Sequence, residues 1–168
     1  CNIPRNESYI FCDCSCFDSF IGYFNCNDVF RGAVEAADEL GDVELVAEDL
    51  GFLTDDVRKM LKESGYPGMN VLEFAFGEDK ADSSYLPHNY NKNSVVYIGT
   101  HDNQTAKGWY DSASPKVRKF VDKYTHRSEY ETAAEALIRT AYSSVSQLAV
   151  IQMQDILKLG NEARMNLP

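Results

Sequence analysis

Two stretches of this chain end in side chains that could do chemistry together. In Ser94-Val-Val-Tyr-Ile-Gly-Thr-His-Asp-Asn103 an apolar strand, Val95 to Ile98, runs straight into a tight polar loop. Gly99 lets the backbone turn closely, and His101, Asp102 and Asn103 are then set side by side. Val43-Glu-Leu-Val-Ala-Glu-Asp-Leu-Gly51 has the same form and ends in Glu48 and Asp49. In a parallel α/β protein the C-terminal ends of the strands are where ligands bind and chemistry is placed. Two strands that each deliver a carboxylate to one rim therefore define a candidate site. Taken one at a time, Glu48 and Asp102 read more readily as helix caps or turn residues than as catalytic groups.

The elements that must position these residues follow from periodicity and punctuation. Asn27 or Asp28 caps a helix through about Leu40, with Phe30, Val34 and Ala37 on one face and Gly41 as its stop. Residues 43–47 read as a strand. Thr54 caps the next helix, whose inner stripe is Val57, Met60 and Leu61 and which ends at Gly65 and Pro67. Val71-Leu-Glu-Phe-Ala-Phe76 is expected to be a strand, and 77–93 a long polar loop of the kind that is functional or mobile. After the central strand, Ser114 with Pro115 starts a helix to about Tyr124. A longer helix over 129–143 turns Ala133, Leu137, Ile138 and Ala141 inward. Residues 148–151 form a last buried strand, and 154–159 a short helix stopped by Gly160. Near-continuous apolar strands alternating with helices indicate an α/β fold, a parallel sheet covered by helices. Four such units make half of a (β/α) barrel or a small open sheet.

The 168 residues suit one domain with a real core, and the formal charge is −10. So negative a chain is a poor partner for nucleic acid, since nothing would displace the counterions of the phosphates. No apolar run approaches membrane-spanning length, and no signal-like leader opens the chain, so no membrane partner is expected. All five cysteines fall between Cys1 and Cys26. An odd count at one end is not a disulfide framework, and reduced thiols in a cytoplasmic protein are the simplest reading. Cys12-x-Cys14-x-Cys16 is spaced too tightly for a usual zinc site and has no second ligand cluster. The chain begins without Met and stops at Pro168 in mid-pattern, so it is expected to be a fragment. Residues 1–26 fit neither period well, although Tyr9-Ile-Phe-Cys12 reads as a strand. They are set apart from 27–168.

The order of short motifs carries a resemblance. Ala47-Glu-Asp-Leu-Gly51, Tyr66-Pro-Gly-Met69, Val71-Leu-Glu-Phe-Ala-Phe76, Leu86-Pro-His-Asn-Tyr90, Gly99-Thr-His-Asp-Asn103, Gly108-Trp-Tyr110, Met153-Gln-Asp155 and Glu162-Ala-Arg-Met-Asn166 occur in that order. Any one of them is weak; the series resembles the 4-alpha-glucanotransferases, amylomaltase or disproportionating enzyme, over about residues 28–168. The resemblance implies that 27–168 is the C-terminal half of a TIM-like (β/α)8 barrel. The activity it implies is transfer of alpha-1,4-glucan segments between maltodextrins, with glucose as an acceptor and with no metal or organic cofactor.

By the same resemblance Glu48 is the general acid/base and Asp102 stabilises the transition state through the sugar hydroxyls. His101, Asn103, Phe74 and Asn166 are implied as substrate contacts. Retaining transfer needs an acid to protonate the leaving oxygen and a carboxylate nucleophile about 5–5.5 Å from it. Glu48 would need a raised pKa, for which burial or the neighbouring Asp49 is a candidate cause. The family's nucleophile motif, Arg-x-Asp-His-x-x-Gly-Phe, is absent. Its nearest match is Ile10-Phe-Cys-Asp-Cys-Ser-Cys-Phe17, where Asp13 lacks the Arg and the His, and whether Asp13 replaces the nucleophile is left open. The fragment itself is expected to be inactive. The alternatives are a non-catalytic half-barrel that binds maltodextrin or self-associates, a hydrolase of the alpha-amylase clan, and a thiol metal module at 12–16.

Overall fold

The computed structural model describes residues 9–13, 44–50, 55–77 and 83–167. It divides into two compact units, Cys1–Met69 and Asn70–Pro168. The helix expected over 27–40, the cap at Thr54 and the thiols at 14 and 16 lie outside the described residues.

In the first unit, β1 (Tyr9–Asp13) and β2 (Glu44–Glu48) form a parallel ladder in which Tyr9 faces Glu44 and Asp13 faces Glu48. The run 9–12 is thus a strand, as its aromatic and β-branched residues suggest. Leu45, Val46 and Ala47 of β2 are all buried, as befits a sheet covered on both faces. Helix α1 (Asp55–Ser64) follows, and Gly65 leaves it with φ +71°, the left-handed turn that glycine accepts without strain.

In the second unit the sheet order is β3 (Gly68–Val71), β4 (Ser94–Tyr97), β5 (Leu148–Val150), the division between units falling inside β3. Strands β4 and β5 are parallel, with Val95 facing Leu148. Helices α2 (Ala106–Ser112), α3 (Pro115–Thr125) and α4 (Ala133–Tyr142) lie between β4 and β5 in sequence, and the short α5 (Met153–Ile156) follows β5. This is an α/β fold of parallel strands and helices. Its core runs from Leu72 and Phe76 through Val96 and Ile98 to Val121 and Leu137. Phe76 is the aromatic hub, within 6.0 Å of the rings of Trp109, Phe120 and Tyr124.

Several expected elements differ. Residues 71–76 are not a strand: β3 ends at Val71 and Leu72–Phe76 winds into a 3-10 helix. Burial explains the change, because Leu72, Ala75 and Phe76 are enclosed while Phe74 is 43% exposed. That spacing follows a threefold turn rather than strand alternation. The helix expected from 129 starts at Ala133 because Thr132 and Glu135 form a capping box. Helix α2 was not expected at all. Its N-cap is Thr105, which accepts the Gly108 N–H, and Asp155 accepts the Ala106 N–H at 2.7 Å. The loop 77–93 is partly structured: Leu86 and Tyr90 are buried around a 3-10 turn at Pro87–Asn89. Among the described residues, no helix is long and apolar enough to cross a membrane.

Candidate active site

Glu48 is the last residue of β2 and is half-buried. Asp49 is committed elsewhere. Its Oδ1 accepts the Met69 N–H at 2.7 Å, and a Cβ at Gly68 would stand 2.6 Å from its Oδ2. A side chain at Gly68 would have to displace that carboxyl. Burial pushes the Asp49 carboxyl above its ordinary value, and the Met69 N–H works in the opposite direction.

In the second unit, β4 is buried along its whole length, and the chain emerges at Gly99 into the loop Thr100–Asn103. Asn103 closes that loop on itself: its Oδ1 accepts both the N–H and the hydroxyl of Thr100, each at 2.8 Å. Asp102 stands at the tip with its side chain 47% exposed, and His101 Nε2 lies 3.4 Å from its Oδ2. The C-terminal segment then clamps the loop from the other side. Asn166 Nδ2 donates to Asp102 Oδ1, and Arg164 Nη2 donates to the Asp102 carbonyl at 2.8 Å. Gln152 Nε2 donates to the carbonyls of Gly99 and Thr100, at 2.9 and 2.6 Å.

Behind the loop is a polar cluster that the sequence reading passed over. Glu73, in the 3-10 helix, is 7% exposed, and Asp155 in α5 is 1% exposed. Burial raises both carboxyls; Glu73, further raised by Asp155 and lowered by Arg164, is pushed up to about 8. Three enclosed atoms have no hydrogen-bond partner: Glu73 Oε1, Asp155 Oδ2 and Arg164 Nε. The signal for Glu73 was a carboxylate inside the apolar run 71–76, but a strand reading gives such a residue a solvated face.

The structure therefore gathers His101, Asp102 and Asn166, with Arg164 and Gln152 added, while Asn103 serves the turn that presents them. Phe74 is on a 3-10 helix rather than a strand, and its ring packs edge-on against Tyr85 at 5.5 Å. Glu48 belongs to the other unit and is described within it. His88 is a loop hydrogen-bonder to the Tyr124 hydroxyl, at 2.9 Å, and His126 is the left-handed cap of α3. A shallow hollow of about 480 Å³ lined by His126, Tyr130, Glu131, Glu135 and Arg139 is separate from these residues. Its carboxylates are already paired, Glu131 with Arg139 and Glu135 with Lys158. Among the described residues no group of three or more His, Cys, Asp and Glu could hold a metal ion. What the Asp102 loop offers is an exposed carboxylate flanked by an imidazole and an amide. That is a set of donors and acceptors suited to hydroxyl groups.

Comparison with known proteins gives a consistent result. The family model for 4-alpha-glucanotransferase, glycoside hydrolase family 77, matches residues 24–168. The chain is 48% identical over 133 residues to a 4-alpha-glucanotransferase of Streptococcus pneumoniae, covering 78% of this chain and 26% of the relative. It is 47% identical over 129 residues to a chloroplastic/amyloplastic 4-alpha-glucanotransferase of Solanum tuberosum, covering 77% and 22%. Among solved structures it resembles the amylomaltase of Streptococcus agalactiae in complex with acarbose. There the TM-score is 0.75 and the identity 35%, over 80% of this chain and 27% of that one. The chain spans about a quarter of the length of the relatives it matches.

Proposed function

This chain belongs to the 4-alpha-glucanotransferase family, and on that premise we propose that it contributes catalytic residues to the transfer of alpha-1,4-glucan segments. The donor is a maltodextrin and the acceptor the 4-hydroxyl of glucose or a second maltodextrin. Residues 27–168 form the C-terminal half of the catalytic barrel in this reading, and the chain by itself holds an incomplete site.

The observation that carries the proposal is Asp102, an exposed carboxylate at the end of a buried strand, fixed by Asn166 and Arg164. Held there, it accepts hydrogen bonds from ring hydroxyls, and these strengthen as the sugar distorts toward an oxocarbenium ion. His101 and Asn166 supply donors beside it. Glu48 gives its proton to the departing glycosidic oxygen as a carboxylate attacks the anomeric carbon. It then takes the proton of the incoming 4-hydroxyl while that carboxylate leaves. The attacking carboxylate is the part the chain does not supply in the expected motif. Asp13 is its candidate, because the β1–β2 register sets Asp13 opposite Glu48.

The test is incubation of the purified chain with maltotriose, alongside the Glu48→Gln variant. Disproportionation to glucose and longer maltodextrins, lost in the variant, supports transfer by this chain and makes Asp13 the next residue to replace. Reducing sugar released without longer glucans would point to hydrolysis instead. The short span of the chain favours a second reading, a half-barrel that binds maltodextrin without turning it over. Binding without products in either protein would support that reading.

A further inference from the structure

We propose that Glu73 is a positioning residue for the Asp102 loop, acting with Asp155 through Arg164 to hold Gly99–Asn103 in its presented conformation. The catalytic meaning rests on the role given to Asp102 above; the structural claim does not.

Glu73 touches the loop from behind. Its backbone N–H donates to the Ile98 carbonyl at 3.0 Å. Its carboxyl lies so close to Gly99 that a Cβ there would be 3.1 Å from Oε1 and 3.0 Å from the Asn103 Cβ. Gly99 is thus the contact through which a buried carboxyl and the closing residue of the loop meet. Arg164 joins the cluster to the tip. Nη2 is spent on the Asp102 carbonyl, while Nε is enclosed without a partner. Asp155 uses Oδ1 on the Ala106 N–H and leaves Oδ2 without one.

The charged groups facing Glu73 are Asp155 from α5 and Arg164 from the C-terminal segment. The end of β4 contributes a carbonyl at Ile98 and no side chain at Gly99. Two enclosed carboxylates against one guanidinium would leave net negative charge in a poorly solvated place, so the cluster retains a proton. While Glu73 holds that proton, Arg164 is free to serve the Asp102 carbonyl. Once Glu73 ionises, its carboxylate competes for the same guanidinium, and the loop tip loses an anchor. The Asp102 loop should therefore report the titration of a residue it does not contain.

The experiment is 13C-detected NMR of the labelled 168-residue chain between pH 5.5 and 9.5, following the Glu73 carboxyl and the Asp102 carbonyl carbons. The expected result is a common step near pH 8 at both, absent from the Asp102 carbonyl in Glu73→Gln. A Glu73 step with no response at Asp102, or an Asp102 step that survives in Glu73→Gln, overturns the proposal. If Glu73→Gln does not fold, Asp155→Asn, which keeps the acceptor for Ala106, provides the second reading. Losing the neighbouring charge should lower the shared midpoint by about half a pH unit or more, and an unmoved midpoint overturns the proposal. The measurement reads the loop alone, so a chain that transfers no glucan leaves its outcome intact.

Discussion

Two polar clusters of the second unit, one around Asp122 and one behind the Asp102 loop, are built on opposite terms. At Asp122 the account closes. Its oxygens accept Arg127 Nε at 2.6 Å, Arg127 Nη2 at 3.0 Å and the Tyr110 hydroxyl at 2.9 and 3.0 Å. Arg127 Nη1 goes on to the Glu131 carbonyl, and its guanidinium sits 5.6 Å from the centre of the Tyr110 ring. One cation meets one anion, and the Arg127 hydrogen bonds hold the Asp122 carboxyl below its ordinary value. Behind the Asp102 loop Glu73 feels the charges of Asp155 and Arg164, three atoms of these residues lack hydrogen-bond partners, and both carboxyls are raised by burial. The satisfied cluster ties α2, α3 and the turn before α4 together. The unsatisfied one lies under the residues that present the candidate site, where buried polar groups without partners are functional suspects.

Breaking each side separately sharpens this contrast. Replacing Asp102 itself should have the largest effect: in any form of the protein competent for transfer, Asp102→Asn is expected to lower the rate about 10²–10³-fold. Assays with maltotriose check this, and the unfolding midpoint should hardly move because the side chain is exposed. Next comes Asp122→Ala, expected to cost about 1–2 kcal/mol once solvent screening of this partly exposed pair is allowed for. Because the folded Asp122 value is lowered, its contribution is present above the unfolded value and lost as pH falls through the folded one. The variant should therefore differ from wild type at neutral pH and converge with it in acid, measured by urea unfolding.

Glu73→Gln should show the opposite sign. Its folded value is raised from 4.5 to about 8, so its contribution is full below pH 4.5 and lost as pH rises toward 8. The variant should gain stability relative to wild type between those limits, by about 1–3 kcal/mol at pH 8, again by urea unfolding. Lys107→Ala, which removes an exposed pair with Asp111 one turn away, should leave the midpoint unchanged.

Much of this was legible in the chain, for reasons that differ from element to element. The strand at 95–98 and the helix starting at Ser114-Pro115 announce themselves by an apolar run and a cap, and both lie within a residue of where they are expected. Asp102 was legible because a polar cluster directly follows a buried strand. The run 71–76 misled because alternation and a 3-10 turn look alike over six residues, and the difference is made by Phe76 packing on α2 and α3. Helix α2 was hidden because part of its start is capped from 49 residues away, by Asp155. Asp122 carries no local sign that Arg127 and Tyr110 converge on it. The clamp on the loop joins residues separated by more than fifty positions, and only the fold brings them together.

The most direct test of the central claim is titration of the labelled chain with maltotetraose, following the backbone of Asp102 and Asn103 and the side-chain amide of Asn166. Saturable shifts are expected at these three positions and should be abolished by Asp102→Ala. Shifts confined to the hollow around Tyr130, or saturable binding that Asp102→Ala leaves untouched, would contradict the assignment of the loop as the sugar-facing site.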